Sequence, residues 1–143
     1  MKIQIKYINH LTQQGKKETS EKQLVKKFKT LQKLSNKNSE KLFQLILLFS
    51  TPIFRLHKLS IKKKKKTFRE IPGFLKNKNT RISFALKLLI FNGKQNSHNS
   101  LPQKLITEML STSQKKSKTI YVKTNLQKEV LTKKHYFLYY RWN

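Results

Sequence analysis

The sequence predicts a mainly α-helical fold, a helical bundle of about six helices with a protruding two-stranded β-ribbon. Most of the chain repeats apolar side chains at the three- and four-residue spacing of amphipathic helices. One stretch, about 52–74, has instead the composition of two short strands around a polar tip. The 143 residues are 36% hydrophobic, enough to bury one core. We therefore expect a single domain over residues 1–143.

The first two helices are predicted from apolar stripes. A short stripe, which stops at Gly15-Lys16-Lys17, consists of Ile5, Ile8 and Leu11. A second helix is expected to begin near Thr19, with one apolar face made of Leu24, Val25, Phe28 and Leu31.

A third helix and the ribbon follow. Residues 39–49 predict a buried helix that Ser39 caps, and Pro52 ends the helical pattern. Beyond it, segments 53–56 and 67–71 are strand-like. They flank a run of five lysines: Lys62, Lys63, Lys64, Lys65 and Lys66. A ribbon with a lysine tip and a solvated lysine loop explain this pattern equally well.

Three further helices are predicted in the second half. The first begins at Thr80 and ends at Asn92-Gly93, with Ala85, Leu88 and Leu89 buried. The next opens at Ser100, with Gln103 reaching back to form a capping box. Its apolar face comprises Leu105, Ile106, Met109 and Leu110. The last begins near Asn125 and places Leu126, Val130 and Phe137 on one side.

The net positive charge of the chain is the feature that most restricts its possible functions. Thirty-three Lys and Arg oppose six acids, all of them Glu, for a net charge of +27 spread from Lys2 to Arg141. A compact domain with this charge repels itself, and solubility alone needs far less of it. The composition therefore predicts a polyanionic partner, and nucleic acid is the commonest.

No catalytic centre, metal site or cofactor site is predicted. The chain has no Cys, and His10, His57, His98 and His135 lack the spacing of metal ligands. Six scattered Glu offer no carboxylate pair, and neither Gly-rich phosphate motif is present. The longest apolar run, 45–49, is too short to span a bilayer, so no membrane partner is expected.

Ordered motifs in both halves resemble one known family. Residues 6–17, KYINHLTQQGKK, are similar to the opening of small-subunit ribosomal protein seven, where an aromatic-containing helix ends in Gly-Lys-Lys. In register with it follow Glu21, Leu31 and Phe43. The ribbon of the family then matches 52–72 with a longer tip.

The second half continues the resemblance. Segment 81–87, RISFALK, corresponds to a helix with Arg, Ala and a basic residue in the family. At the spacing of the family come Ser100, Lys104, Leu105 and Glu108, and the chain ends in Tyr140-Arg141-Trp142. It departs from the family in a short basic arm before the first helix, in Leu88 where Trp is frequent, and in 96–99, which replaces a basic turn.

The resemblance implies a structural constituent of the small ribosomal subunit that binds the 3′ major domain of the rRNA and nucleates assembly of the head. It also implies that the ribbon lies near exit-site tRNA and the mRNA path, beside ribosomal protein eleven. We expect rRNA contacts from Lys16, Lys17, Arg81, Lys87 and Lys104, and ribbon-tip contacts from Lys62 to Lys66. Arg141 and Trp142 are expected to form a C-terminal contact, with packing of Trp142 on its own helix as the alternative.

Two other classes of protein compete with this interpretation. A free-standing DNA-binding or nucleoid protein fits the charge, because a helix-turn-helix can occur within any helical bundle. A basic amphipathic protein of membrane surfaces is less consistent, since the lysines surround every helix and do not occupy one face.

Codon-related composition suggests the compartment. Lys (29) far exceeds Arg (4), Asn reaches 10, and Ala85 is the only alanine. RNA binding alone would favour Arg over Lys, so it does not explain this bias. An excess of residues with A/T-rich codons, such as Lys and Asn, instead indicates an A/T-rich genome. The Met1 segment runs directly into the first helix of the family, which leaves no room for an import sequence. We expect an organelle-encoded mitochondrial ribosomal protein, with a plastid as the alternative.

Overall fold

The structure, a computed structural model, describes residues 2–12, 14–35, 38–61, 67–97 and 100–139. Six α-helices are found there: α1 (Lys2–Leu11), α2 (Lys17–Ser35), α3 (Ser39–Ser50), α4 (Lys78–Lys94), α5 (Leu101–Ser113) and α6 (Lys118–Thr132). Strands β1 (Phe54–Ile61) and β2 (Thr67–Phe74) lie between α3 and α4, and a 3-10 helix covers Lys134–Tyr139. The predicted helical bundle with a two-stranded ribbon is confirmed.

Helices α1 to α5 enclose one hydrophobic core. Phe43 of α3 lies near its centre, with edge-to-face contacts to Tyr7 at 5.8 Å and to Phe28 at 5.3 Å between ring centres. The other buried members are Leu11, Leu24, Leu31, Leu42, Ile46, Leu47, Ala85, Leu86, Leu89, Ile90, Leu105 and Met109. None of the helices in the described part of the chain is long and apolar enough to cross a membrane.

The buried faces of α1 and α2 differ from the predicted ones. Ile5 is 50% exposed and Val25 is 51% exposed, so neither belongs to the core. Tyr7 and Lys27 are buried in the same two helices. The stem of a lysine is a four-carbon apolar chain, and it can cover core surface that the sequence pattern assigned to valine.

Helix α4 begins earlier and ends later than predicted. The side chain of Asn77 accepts a hydrogen bond from the backbone N–H of Asn79 at 2.9 Å, which starts the helix before Thr80. Gly93 does not end the helix. It lies inside α4, where a Cβ would stand 2.6 Å from Cδ2 of the buried Leu105, so the missing side chain lets α4 approach α5 closely.

Helices α3 and α5 begin where the sequence predicts, but two predicted caps and the predicted start of α6 are wrong. Asn38, and not Ser39, caps α3 by accepting a hydrogen bond from the N–H of Glu40 at 3.2 Å. Ser100 precedes α5 without a side-chain cap bond, so the capping box is absent. Helix α6 starts well before Asn125 because Ser117 caps it, accepting from the N–H of Ile120 at 3.2 Å.

A buried polar network joins α4, α5 and α6. Glu108 is 3% exposed, and its Oε1 accepts hydrogen bonds from Thr119 N at 2.9 Å and Thr119 Oγ1 at 2.6 Å. Its Oε2 accepts from Asn96 Nδ2 at 3.4 Å, and Asn92 Nδ2 donates to Thr119 Oγ1 at 3.3 Å. The carboxylate therefore fixes the first turn of α6 against α5.

The ribbon contacts the helical body through Glu70, in the middle of its strands. Its strands are antiparallel, in register from Phe54 opposite Phe74 to Ile61 opposite Thr67. The Phe54 and Phe74 rings lie 4.6 Å apart between centres, a cross-strand aromatic pair. Glu70 of β2 binds Lys133, just after α6, at 2.7 Å. It also pairs with Lys58 of β1 at 3.6 Å. The ribbon, one of the two explanations of segment 53–71, is thus the observed one.

Candidate nucleic-acid interface

The turn between α1 and α2 presents the first predicted contacts, Lys16 and Lys17. Gln14 and Gly15 take left-handed backbone conformations, with φ of 53° and 74°. Glycine adopts this conformation without strain, so Gly15 suits the turn. The N–H of Lys17 donates to the carbonyl of Gly15 at 2.8 Å, and both lysine side chains are exposed. The turn therefore offers two adjacent cations to a polyanion.

Helices α1 and α4 bring a second set of basic groups together. Lys6 Nζ donates to Asn79 Oδ1 at 2.9 Å and so joins α1 to the first turn of α4. His10 lies one turn after Lys6 and is half-buried. Burial lowers the pKa of His10, and the nearby charges of Lys87 and Lys6 lower it further. We call Lys6, His10 and Lys87 the α1–α4 basic cluster.

Arg81 lies at the start of α4 and is half-buried. Its Nε donates a hydrogen bond to the backbone carbonyl of Leu75, which holds the guanidinium in one orientation. The terminal guanidinium nitrogens remain as donors whose planar geometry suits a phosphate. Among the predicted contacts that the structure describes, Arg81 is therefore the most preorganised.

Lys104 occupies a different part of the surface. It is half-buried on α5, and its carbonyl accepts a hydrogen bond from Asn96 Nδ2 at 3.0 Å. This bond places Lys104 beside the connection between α4 and α5. The structure thus groups Lys87 with α1 and leaves Lys104 at a separate position.

The remaining predicted contacts lie outside the described residues. These are Lys62 to Lys66 at the ribbon tip and Arg141 and Trp142 at the C-terminal end. Their roles stay predictions.

Sequence reasoning missed Lys6, His10 and Asn79 as parts of a site. The available signal was the four-residue spacing of Lys6 and His10, which puts both on one face of α1. Among the described residues there is no group of three or more His and Glu that could hold a metal ion. The four histidines were not expected to act as ligands, and His10 instead contributes to a basic surface.

A packed helical body with exposed cations and a two-stranded ribbon is typical of a nucleic-acid-binding structural protein. Residues 1–134 match the family described as ribosomal protein S7p/S5e, so the chain belongs to this family. It is a small-subunit ribosomal protein that binds rRNA, with a structural role and no enzymatic one. Family membership decides against the free-standing DNA-binding alternative. No curated protein matches the chain.

Proposed function

We propose that this protein binds the 3′ major domain of small-subunit rRNA and organises assembly of the subunit head. Two features support the proposal: the family match over 1–134 and the clustering of Lys6, His10 and Lys87 on the packed pair α1 and α4. The cluster carries the argument, because it brings the cations Lys6 and Lys87, from distant parts of the sequence, together beside His10 on two packed helices.

The mechanism is neutralisation of several phosphates by a surface of fixed shape. Double-helical RNA has a deep, narrow major groove that side chains do not read, so recognition depends on backbone contacts and shape. Lys16 and Lys17 follow the C-terminal end of α1, while Lys6 and Arg81 lie near the start of α4. This distribution suits an RNA backbone that follows the length of α1.

The ribbon is proposed to extend toward exit-site tRNA and the mRNA path, beside ribosomal protein eleven. Its anchoring supports this role, because Glu70 binds Lys133 and Lys58 and the Phe54–Phe74 pair closes the base. A ribbon held both at its base and in the middle of its strands can keep a constant direction. Lys62 to Lys66 would then contact partners distant from the helical body.

We further propose that the protein works in a mitochondrial ribosome, with a plastid ribosome as the alternative. The excess of Lys over Arg and the single Ala85 support an A/T-rich organelle genome. Fractionation of the source cells on sucrose gradients tests the assignment. The protein should sediment with organellar small subunits, and a mainly ribosome-free pool would contradict it.

Filter binding to the 3′ major-domain RNA over a salt series tests the proposed RNA surface. Each of Lys16→Ala, Lys87→Ala and Arg81→Ala should flatten the dependence of log affinity on log salt by about one unit. Arg81→Ala should reduce affinity most, because a guanidinium forms two parallel hydrogen bonds with one phosphate. Circular dichroism of each variant verifies its fold.

Lys22→Ala is the matched control, since Lys22 is an exposed lysine of α2. It should leave the salt slope unchanged. Replacing Lys62 to Lys66 together should weaken binding of the isolated RNA domain less than Arg81→Ala. A larger loss of affinity from the five-lysine replacement than from Arg81→Ala would mean that the main RNA surface is on the ribbon.

A further inference from the structure

A groove lies next to Arg81, where α1, α3 and α4 meet. Its volume is about 520 Å³. One side is apolar and consists of Ile3, Leu47, Leu48 and Ile82. The polar side chains at its edges are Gln44, Thr51, Lys78 and Arg81. Pockets that bind small organic groups have this combination of apolar walls and few polar groups, at about 300–1,000 Å³.

The groove exposes apolar surface that the fold itself leaves uncovered. Leu48 is 69% exposed, the largest exposed fraction among the exposed large hydrophobic side chains of the described residues. Exposed apolar surface grouped beside polar groups is typical of a binding site. A partner that covered Leu48 would remove this surface from water.

The groove adjoins the residues predicted to contact RNA. Arg81 is one of these residues and also lines the groove, and Lys78 lies one turn before it on α4. The Lys6–Asn79 hydrogen bond joins the same ends of α1 and α4, one turn after Ile3. None of the described residues that line the groove is acidic. An anionic chain that follows α1 would therefore reach the groove with its phosphates beside two cations.

We propose that this groove receives one unstacked nucleobase of the rRNA, while Lys78 and Arg81 bind the phosphates beside it. The proposal rests on the rRNA-binding function above. Proteins that read single-stranded RNA take up splayed bases and bond to their edges. In this groove the faces of the base would pack against the apolar side chains Ile3, Leu48 and Ile82. An acidic peptide would meet the same cations, but the shared Arg81 favours RNA.

The polar groups have the capacity to bond the edge of a base. The Gln44 amide offers both a donor and an acceptor, and its side chain is exposed. Thr51 Oγ1 donates to the carbonyl of Leu48 at 3.1 Å, so its oxygen can still accept. The bond from Arg81 Nε to Leu75 holds the guanidinium plane at the groove edge.

The salt series separates apolar packing from charge. With the whole chain and the 3′ major-domain RNA, Leu48→Ser and Gln44→Ala should each lower affinity without changing the salt slope. Leu48→Ser should lower it by about tenfold, because the base would lose an apolar wall. Lys78→Ala should flatten the slope by about one unit. Leu45→Ser is the control, because Leu45 is a 36% exposed leucine of the same helix that does not line the groove.

The outcomes of these experiments separate failure of the nucleobase-site proposal from failure of the rRNA-binding proposal on which it rests. Wild-type affinity in both Leu48→Ser and Gln44→Ala would overturn the nucleobase site and leave rRNA binding intact. An equal loss in Leu45→Ser would overturn it too, because the effect would then not belong to the groove. Failure of the wild-type chain to bind this RNA would overturn both proposals. Photo-crosslinks from RNA that contains 4-thiouridine should map to 44–51 or 78–82, and crosslinks confined to other segments would contradict the site.

Discussion

Lys27 holds its ammonium 5.8 Å from the centre of the Tyr7 ring, inside the helical body. Lys27 is 2% exposed and Tyr7 is 1% exposed. Neither Lys27 Nζ nor Tyr7 Oη has a hydrogen-bond partner in the part of the chain that the structure describes. Burial lowers the pKa of Lys27 to about 8 and raises the pKa of Tyr7. The cation–π contact offsets only part of the cost of burying a charge.

Replacing Lys27 with methionine should therefore stabilise the protein. The variant Lys27→Met keeps an unbranched apolar stem and removes the buried charge. We expect the melting temperature at pH 7 to rise by several degrees. Lys26→Met is the control, since Lys26 is exposed and its replacement should change little. A lower melting temperature for Lys27→Met would show that the ammonium has a stabilising partner.

The same lysine predicts how stability depends on pH. The folded-state pKa of about 8 lies below the ordinary value of 10.5, so the folded chain releases this proton first. Between these values the unfolded chain binds more protons, and stability rises with pH. Denaturant unfolding of wild type and Lys27→Met should be compared from pH 8 to pH 10. The excess rise of wild type over the variant is the contribution of Lys27, and parallel curves would contradict it.

His10 predicts that RNA binding depends on pH in the opposite direction. In the free protein, the pKa of His10 lies below its ordinary value of 6.5, because burial lowers it and the charges of Lys87 and Lys6 lower it further. A phosphate bound beside the two lysines would raise this pKa, so binding would take up a proton. Affinity should thus increase as pH falls from 7.5 to 5.5 at constant salt.

The comparison with His10→Gln isolates this residue from the other histidines. Filter binding at each pH should give a flatter curve for the variant than for the wild type. Equal slopes for the two proteins would show that no phosphate binds at the α1–α4 basic cluster.

The Glu108–Thr119 pair gives a prediction about stability alone. Thr119→Val keeps the shape of the side chain and removes the hydroxyl that donates to Glu108 Oε1 at 2.6 Å. We expect a loss of about 1–2 kcal/mol in the free energy of unfolding, measured by denaturant titration. Thr124→Val is the control, because Thr124 is exposed and its hydroxyl donates to Tyr121 O of its own helix. An equal loss in both variants would reflect helix propensity and not the network.

Local signals predicted the order of the elements but not all of their buried faces. Amphipathic spacing, Pro52 and the two strand-like segments were sufficient for the helical bundle and the ribbon. The faces of α1 and α2 depend on which neighbours pack against them, so Ile5 and Val25 were misplaced. Glycine often follows a helix C-terminus, so the sequence predicts a helix end at Gly93, whereas close contact with Leu105 explains this glycine.

The candidate site was predictable only in part for a related reason. The family resemblance predicts contacts at Arg81 and Lys87, and the Gly-Lys-Lys turn predicts them at Lys16 and Lys17. These roles stay predictions. Lys6 and Asn79 are 73 residues apart in sequence, and only the packing of α1 on α4 brings them together. No periodic pattern within one segment carries that information.

The anchoring of the ribbon by Glu70 has a consequence for how the subunit is built. The hydrogen bond and charge of Lys133 hold the pKa of Glu70 below its usual value, so the Glu70–Lys133 ion pair persists through mildly acidic pH. The ribbon then has a fixed direction before any RNA binds. Less conformational entropy is lost when the ribbon docks, and subunit components that bind later meet a ribbon whose direction is already set.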